Sequence, residues 1–222
     1  MTVDLLVFDC DGVLVDSEAL VVDVEAQMLT AAGFPITADE IIHRFVGVSY
    51  RSMMAALADD HGRPVPDELA VAVQQAALDQ FPTRLRPIDG IARLLDGLDG
   101  ERCVASSSDL SRIELSLRLC GLDRYFPAER LFSAQMVANG KPAPDLFLHA
   151  ATTLGVEPEG CLVIEDSPPG VRAARAAGME VVGLVAGGHA SDRLADRLRA
   201  AGADRVFATT ADLADHLATV SV

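Results

Sequence analysis

The chain has 222 residues, half of them hydrophobic and 23% charged, which describes a globular protein with a sizeable core rather than a disordered segment. Its formal net charge of −15 and sequence pI of about 4.6 repel nucleic-acid phosphates and anionic membrane faces, so neither is expected as a partner. No apolar run nears the roughly 18–20 residues a membrane span needs, Asp4, Asp9 and Asp11 interrupt any signal core, and Cys10, Cys103, Cys120 and Cys161 lack CxxC spacing, so a cytoplasmic monomer with reduced core thiols is expected.

In chain order, the first apolar run is residues 4–8, a strand that leads straight into Asp9-Cys10-Asp11-Gly12. From about Ser17 to Arg84 there is no good strand and much helix. Residues 18–32 end at Gly33, Thr37 and Glu40 have capping-box spacing, Ser49 suits the start of another helix, and 66–80 reads as one more. This block, residues 17–84, is predicted to be a small helical domain inserted into a core made of residues 1–16 and 85–222, with hinges near Asp16–Ser17 and Arg84–Pro87. Further strands are predicted at 103–105, 130–132, 161–164, 180–185 and 205–208, continuous rather than alternating runs that suit burial on both faces. Helices at 144–154, 170–177 and 191–201 stop at Gly155, Gly178 and Gly202, glycines suited to left-handed caps. Strands alternating with helices predict a doubly wound parallel α/β sheet.

The chemistry gathers at strand ends. Four of the six runs lead to reactive groups: Asp9 and Asp11; Ser106, Ser107 and Ser108; Ser133 followed by Gly140-Lys141-Pro142; and Glu165-Asp166-Ser167. An open parallel sheet binds ligands outside the carboxyl ends of its strands, so these groups are expected to share one crevice. Clustered carboxylates call for a divalent cation, and an oxygen-only donor set favours Mg2+. Asp9 is ionised at neutral pH and can act as a nucleophile without a separate base. Asp11 can serve as general acid and base, Gly12 allows a tight turn that brings backbone N–H groups towards a phosphate, Ser106 can donate to a phosphoryl oxygen, and Lys141 offsets the repulsion between two anions. Neither an EF-hand nor a Walker P-loop is present, because Leu14 and Pro142 occupy places those loops reserve for glycine and Ser/Thr.

The ordered set Asp9-Cys10-Asp11-Gly12-Val13, Ser106, Lys141-Pro142 and Glu165-Asp166-Ser167 resembles the four motifs of the haloacid dehalogenase superfamily, in its phosphatase branch close to β-phosphoglucomutase, and the likeness spans nearly the whole chain. The resemblance implies a magnesium-dependent phosphatase acting on a small phosphorylated metabolite, a sugar or polyol phosphate, through an aspartyl phosphate. It implies Asp9 as nucleophile and metal ligand, Asp11 as general acid/base with its backbone carbonyl on the metal, Asp166 as a direct ligand and Glu165 as one acting through water. Ser106, Ser107 and Lys141 would hold phosphate. The helical insert matches the family's cap, and Tyr50 and Arg51 fall in a loop resembling its specificity loop. Val21 and Leu110 depart from the mutases, which carry histidine and asparagine at those places, so the phosphatase reading stands ahead of a sugar phosphomutase. A phospho-receiver signalling domain is the remote alternative, since such domains lack a helical insert.

Overall fold

The computed structural model describes residues 3–188 and 192–220. Six parallel strands, β1 (Leu5–Phe8), β2 (Arg102–Ser106), β3 (Leu131–Ser133), β4 (Cys161–Glu165), β5 (Glu180–Leu184) and β6 (Arg205–Phe207), form one sheet in the order β3-β2-β1-β4-β5-β6. The order reverses at β1, so the crevice beyond its carboxyl end lies between β2 and β4. All four residues of β1 are buried. Leu6 and Phe8 enter one apolar layer while Leu5 and Val7 enter the other, which is why its sequence shows no alternation.

The helices are α1 (Glu18–Ala31), α2 (Ala38–Phe45), α3 (Tyr50–His61), α4 (Asp67–Leu78), α5 (Phe81–Arg84), α6 (Ile91–Asp96), α7 (Leu110–Leu119), α8 (Asp145–Leu154), α9 (Pro168–Ala176), α10 (Asp192–Ala201) and α11 (Thr210–Leu217). Side chains of α6, α7 and α11 cover one face of the sheet and those of α8, α9 and α10 the other. The predicted capping box is present: Thr37 accepts from the Glu40 N–H, and Glu40 accepts from that of Thr37. Helix α9 begins two residues before the position expected from Gly170, because Ser167 caps it and Pro168 and Pro169 fit a first turn whose N–H groups have no intrahelical partner. Residue 191, the expected start of the 191–201 helix, lies outside the described residues. The four cysteines are free thiols, three of them buried. No described helix is long and apolar enough to cross a membrane.

Between β1 and α6 the chain is helical, as expected, and α1 to α4 enclose an apolar cluster of their own around Leu29, Phe34, Leu57 and Val73. The chain leaves and re-enters the sheet side by side: the Asp16 N–H donates to the Arg86 carbonyl at 2.9 Å, and Val15 bridges Pro87. The insert also touches the sheet's far end. Gly47 has φ 80°, and a Cβ there would overlap the Ser167 side chain.

Candidate active site

The first residues past β1 and β4 are Asp9 and Asp166, and Glu165 is the last residue of β4 itself. All three are buried, with carboxylate oxygens within 4.8 Å of one another. Lys141 reaches them from the segment between β3 and α8, with its side chain fully enclosed. Its ammonium donates to Asp9 Oδ1 at 2.9 Å, Glu165 Oε1 at 2.5 Å and the Ala105 carbonyl at 3.0 Å. Glu165 is held on both sides: its Oε2 accepts from the N–H groups of Asp166 (3.1 Å) and Ser167 (3.0 Å) and from the Ser167 hydroxyl (2.8 Å). There is room for this carboxylate because residue 170 is glycine; a Cβ there would overlap it.

With all three carboxylates ionised, one ammonium would leave two negative charges in a buried space. Burial pushes the Asp9 carboxyl well above its usual range, Glu165 and Asp166 push it the same way, and Lys141 opposes them. Burial alone would lower Lys141, but Asp9 and Glu165 outweigh it and hold the ammonium charged. A hard divalent cation would neutralise the excess, and the oxygen-only, doubly negative donor set fits one. Asp9 and Asp166 would supply its ligands most directly, because both oxygens of Glu165 are already engaged.

Asp11 stands outside this group. Its carboxylate accepts from the hydroxyls of Ser17 and Ser108 (the latter at 2.6 Å) and from Arg112 at 2.7 Å. Burial raises its pKa, but the Arg112 guanidinium and the two hydroxyls outweigh that and hold the carboxyl below its ordinary value. Gly12 makes the expected tight turn at φ 78°, although its own N–H closes that turn on the Val15 carbonyl at 2.8 Å. Ser106 is buried at the end of β2, its hydroxyl accepting from the Ser108 N–H at 3.1 Å, while the Ser107 hydroxyl donates to the Gly47 carbonyl at 3.0 Å across the seam with the insert.

A cavity of about 120 Å3 lies between this crevice and the insert. Asp9, Asp11 and Ser106 to Ser108 line its floor, and Glu18, Val21, Glu25 and Tyr50 its roof. Of the two insert residues picked out from the sequence, Tyr50 reaches the cavity, but its hydroxyl donates to the Ala70 carbonyl at 2.9 Å. Arg51 is exposed on the first turn of α3 and does not line the cavity, because the helical period turns it outwards. Sequence reasoning passed over Arg112 and Glu25. Arg112 carried a usable signal, standing in the first turn of the helix that follows the Ser106–Ser108 loop. Glu25 carried only a weak one, a charge in the stripe Glu18, Val21, Val22, Glu25 on one face of α1.

Over residues 3–178 the chain matches the haloacid dehalogenase-like hydrolase family model. It is 31% identical to the 6-phosphogluconate phosphatase of Escherichia coli (strain K12), covering 84% of this chain and 85% of that protein. It is 30% identical to the fructose-1-phosphate phosphatase of the same organism, over 80% of this chain and 94% of that protein. Among solved structures it resembles a conserved haloacid dehalogenase-like protein of unknown function from Agrobacterium tumefaciens str. C58, with a TM-score of 0.82, 37% identity and coverage of 97% and 98% of the two chains.

Proposed function

Because this chain belongs to the haloacid dehalogenase-like hydrolase family, we propose that it removes phosphate from a small sugar or polyol phosphate, with Mg2+, through an aspartyl phosphate on Asp9. It is a phosphoric monoester hydrolase, as the named relatives are. One observation carries the finer reading: a buried carboxylate at the end of the central strand, held at 2.9 Å by a lysine and flanked by two further carboxylates.

In this reading Asp9 attacks phosphorus, and Lys141 and Ser106 hold the phosphoryl oxygens as negative charge shifts onto them. A bound Mg2+, held by Asp9, Asp166 and the Asp11 carbonyl, would supply charge neutralisation between two anions. Asp11 Oδ2, released from Ser108 while Oδ1 stays paired with Arg112, gives a proton to the leaving oxygen and then takes one from the water that hydrolyses the acyl phosphate. Glu165 keeps Lys141 in place. The insert, residues 17–84, acts as a cap that excludes water while Asp9 is being phosphorylated, and its seam at Gly47, Ser107 and Ser167 is the contact that opens for exchange. Val21 lines the cavity as an apolar group where the mutases of this family carry histidine, which favours water over a second sugar hydroxyl as acceptor.

Asp9→Asn should lower phosphate release by roughly 10^4-fold or more while leaving the circular dichroism unchanged. Acid quench of the wild type during turnover should trap a phosphorylated peptide containing Asp9. Full activity in the Asp9→Asn variant, or phosphate found on another residue, would sink this assignment.

A further inference from the structure

Glu25 is a side chain the reaction does not use. It projects from α1 on the same stripe as Val21 and Val22, where helix periodicity calls for an apolar residue, and is 6% exposed. Among the described residues no hydrogen-bond or ion-pair partner reaches it, although a buried carboxyl with none is costly to keep. It lines the cavity opposite Asp9 and Ser106. The charges around it are lopsided: Glu18 from the same helix and Asp109 from the sheet side are acidic, and the cation on that wall, Arg112, is bound to Asp11 at 2.7 Å. Arg112 and Tyr50 both feel the Glu25 charge, which places them beside it without a direct bond. Burial raises the Glu25 pKa to about 7, with Arg112 opposing, so the group can accept a hydrogen bond or donate one near neutral pH.

We propose that Glu25 reads the leaving group, hydrogen-bonding a hydroxyl or amine on the substrate, and that the cavity takes neutral polyol and amino-sugar phosphates in preference to phosphates whose far end is a carboxylate. A second anion there would meet Glu18, Glu25 and Asp109, while Arg112, the cation among the described lining residues, is paired with Asp11. The inference rests on the phosphatase reading above and adds to it the chemistry of the group released. It separates this chain from its relative that acts on 6-phosphogluconate, whose far end is a carboxylate.

The test is a comparison of kcat/KM on the full chain with Mg2+ for fructose 1-phosphate, glucosamine 6-phosphate, 6-phosphogluconate and phenyl phosphate. The wild type should favour the first two over 6-phosphogluconate by about tenfold or more. In Glu25→Gln, which keeps the size and removes the charge, the ratio of glucosamine 6-phosphate to phenyl phosphate turnover should fall by about tenfold, mainly through KM. Glu25→Leu should lower the fructose 1-phosphate to phenyl phosphate ratio as well. Equal or better turnover of 6-phosphogluconate by the wild type overturns the inference, and so does a uniform loss across all four compounds in a folded Glu25→Gln. Hydrolysis of none of them, phenyl phosphate included, would instead count against the phosphatase reading itself. If the variants do not fold, the wild-type preference decides.

Discussion

The floor and the roof of the cavity are built on different terms. At and beneath the floor, Asp9 and Glu165 stand at the ends of strands that cannot shift without breaking the sheet, Lys141 reaches them from the segment between β3 and α8, and Lys141 and Glu165 have several hydrogen-bond partners each. On the roof, Tyr50 turns its hydroxyl into the insert, Arg51 faces solvent, and Glu25 meets the cavity without a hydrogen bond of its own. On the proposed function, reaction belongs to the floor and selection to the roof. A preorganised polar network suits a charge distribution that every phosphomonoester shares. A polar group left unsatisfied until a ligand arrives suits the part of the substrate that varies.

That contrast can be broken experimentally, most severely on the floor. Removing divalent metal with a chelator should reduce phosphate release to background, and Mg2+ should restore it; turnover that persists in chelator would show that the paired negative charges need no cation. Lys141→Met should also silence the reaction. It leaves Asp9 and Glu165 buried without their counter-charge, so denaturant titration should show a stability loss of about 3–5 kcal/mol. A variant as stable as the wild type would mean that the network is less tightly coupled than its geometry implies.

Changes at the seam should be milder. Gly47→Val forces a side chain at φ 80° into Ser167, which should part the insert from the sheet while leaving the carboxylate cluster intact. KM should rise by roughly tenfold with a smaller change in kcat, and an unchanged KM would indicate that this contact does not hold the cavity shut.

The smallest expected effect belongs to the roof and is read as stability against pH. Glu25 has a pKa of about 7 in the folded chain against an ordinary 4.5, with Arg112, Tyr50 and Glu18 facing it. The folded state therefore holds this proton over a window in which the unfolded chain has released it, and stability should fall as pH rises from about 4.5 to 7. Glu25→Gln should remove that slope and gain up to about 3 kcal/mol above pH 7. Parallel curves for the two proteins would show that Glu25 ionises without penalty.

Much of this could be read before any coordinates. The uninterrupted apolar runs around residues 4–8 and 161–164 require cover on both faces, and a buried parallel sheet is the arrangement that supplies it. Asp9, Ser106 and Glu165-Asp166 end or directly follow such runs, so backbone periodicity put them on one edge of the fold, whereas Lys141 stands eight residues beyond β3 and only the folded chain brings it to Asp9. Helix ends at Thr37, Ser49 and Gly155 were legible for a similar reason: caps depend on residues within one turn.

What the chain order could not supply is which side chains meet across elements. Arg112 binds Asp11 over 101 positions, and Glu25 faces that pair from another helix; neither relation leaves a local trace. Gly170 looks like any helical glycine until the Glu165 carboxylate is seen to occupy the space a Cβ would need. Tyr50 and Arg51, adjacent in sequence, part company because a helical step of about 100° sends one towards the cavity and the other to solvent. The sheet, the edge that carries the motifs and the helical insert were legible in the residues alone, because they follow from local periodicity and from burial. How the insert's side chains are aimed emerges with the packed fold, because their direction depends on the packing of helices whose mutual angles no short stretch of residues encodes.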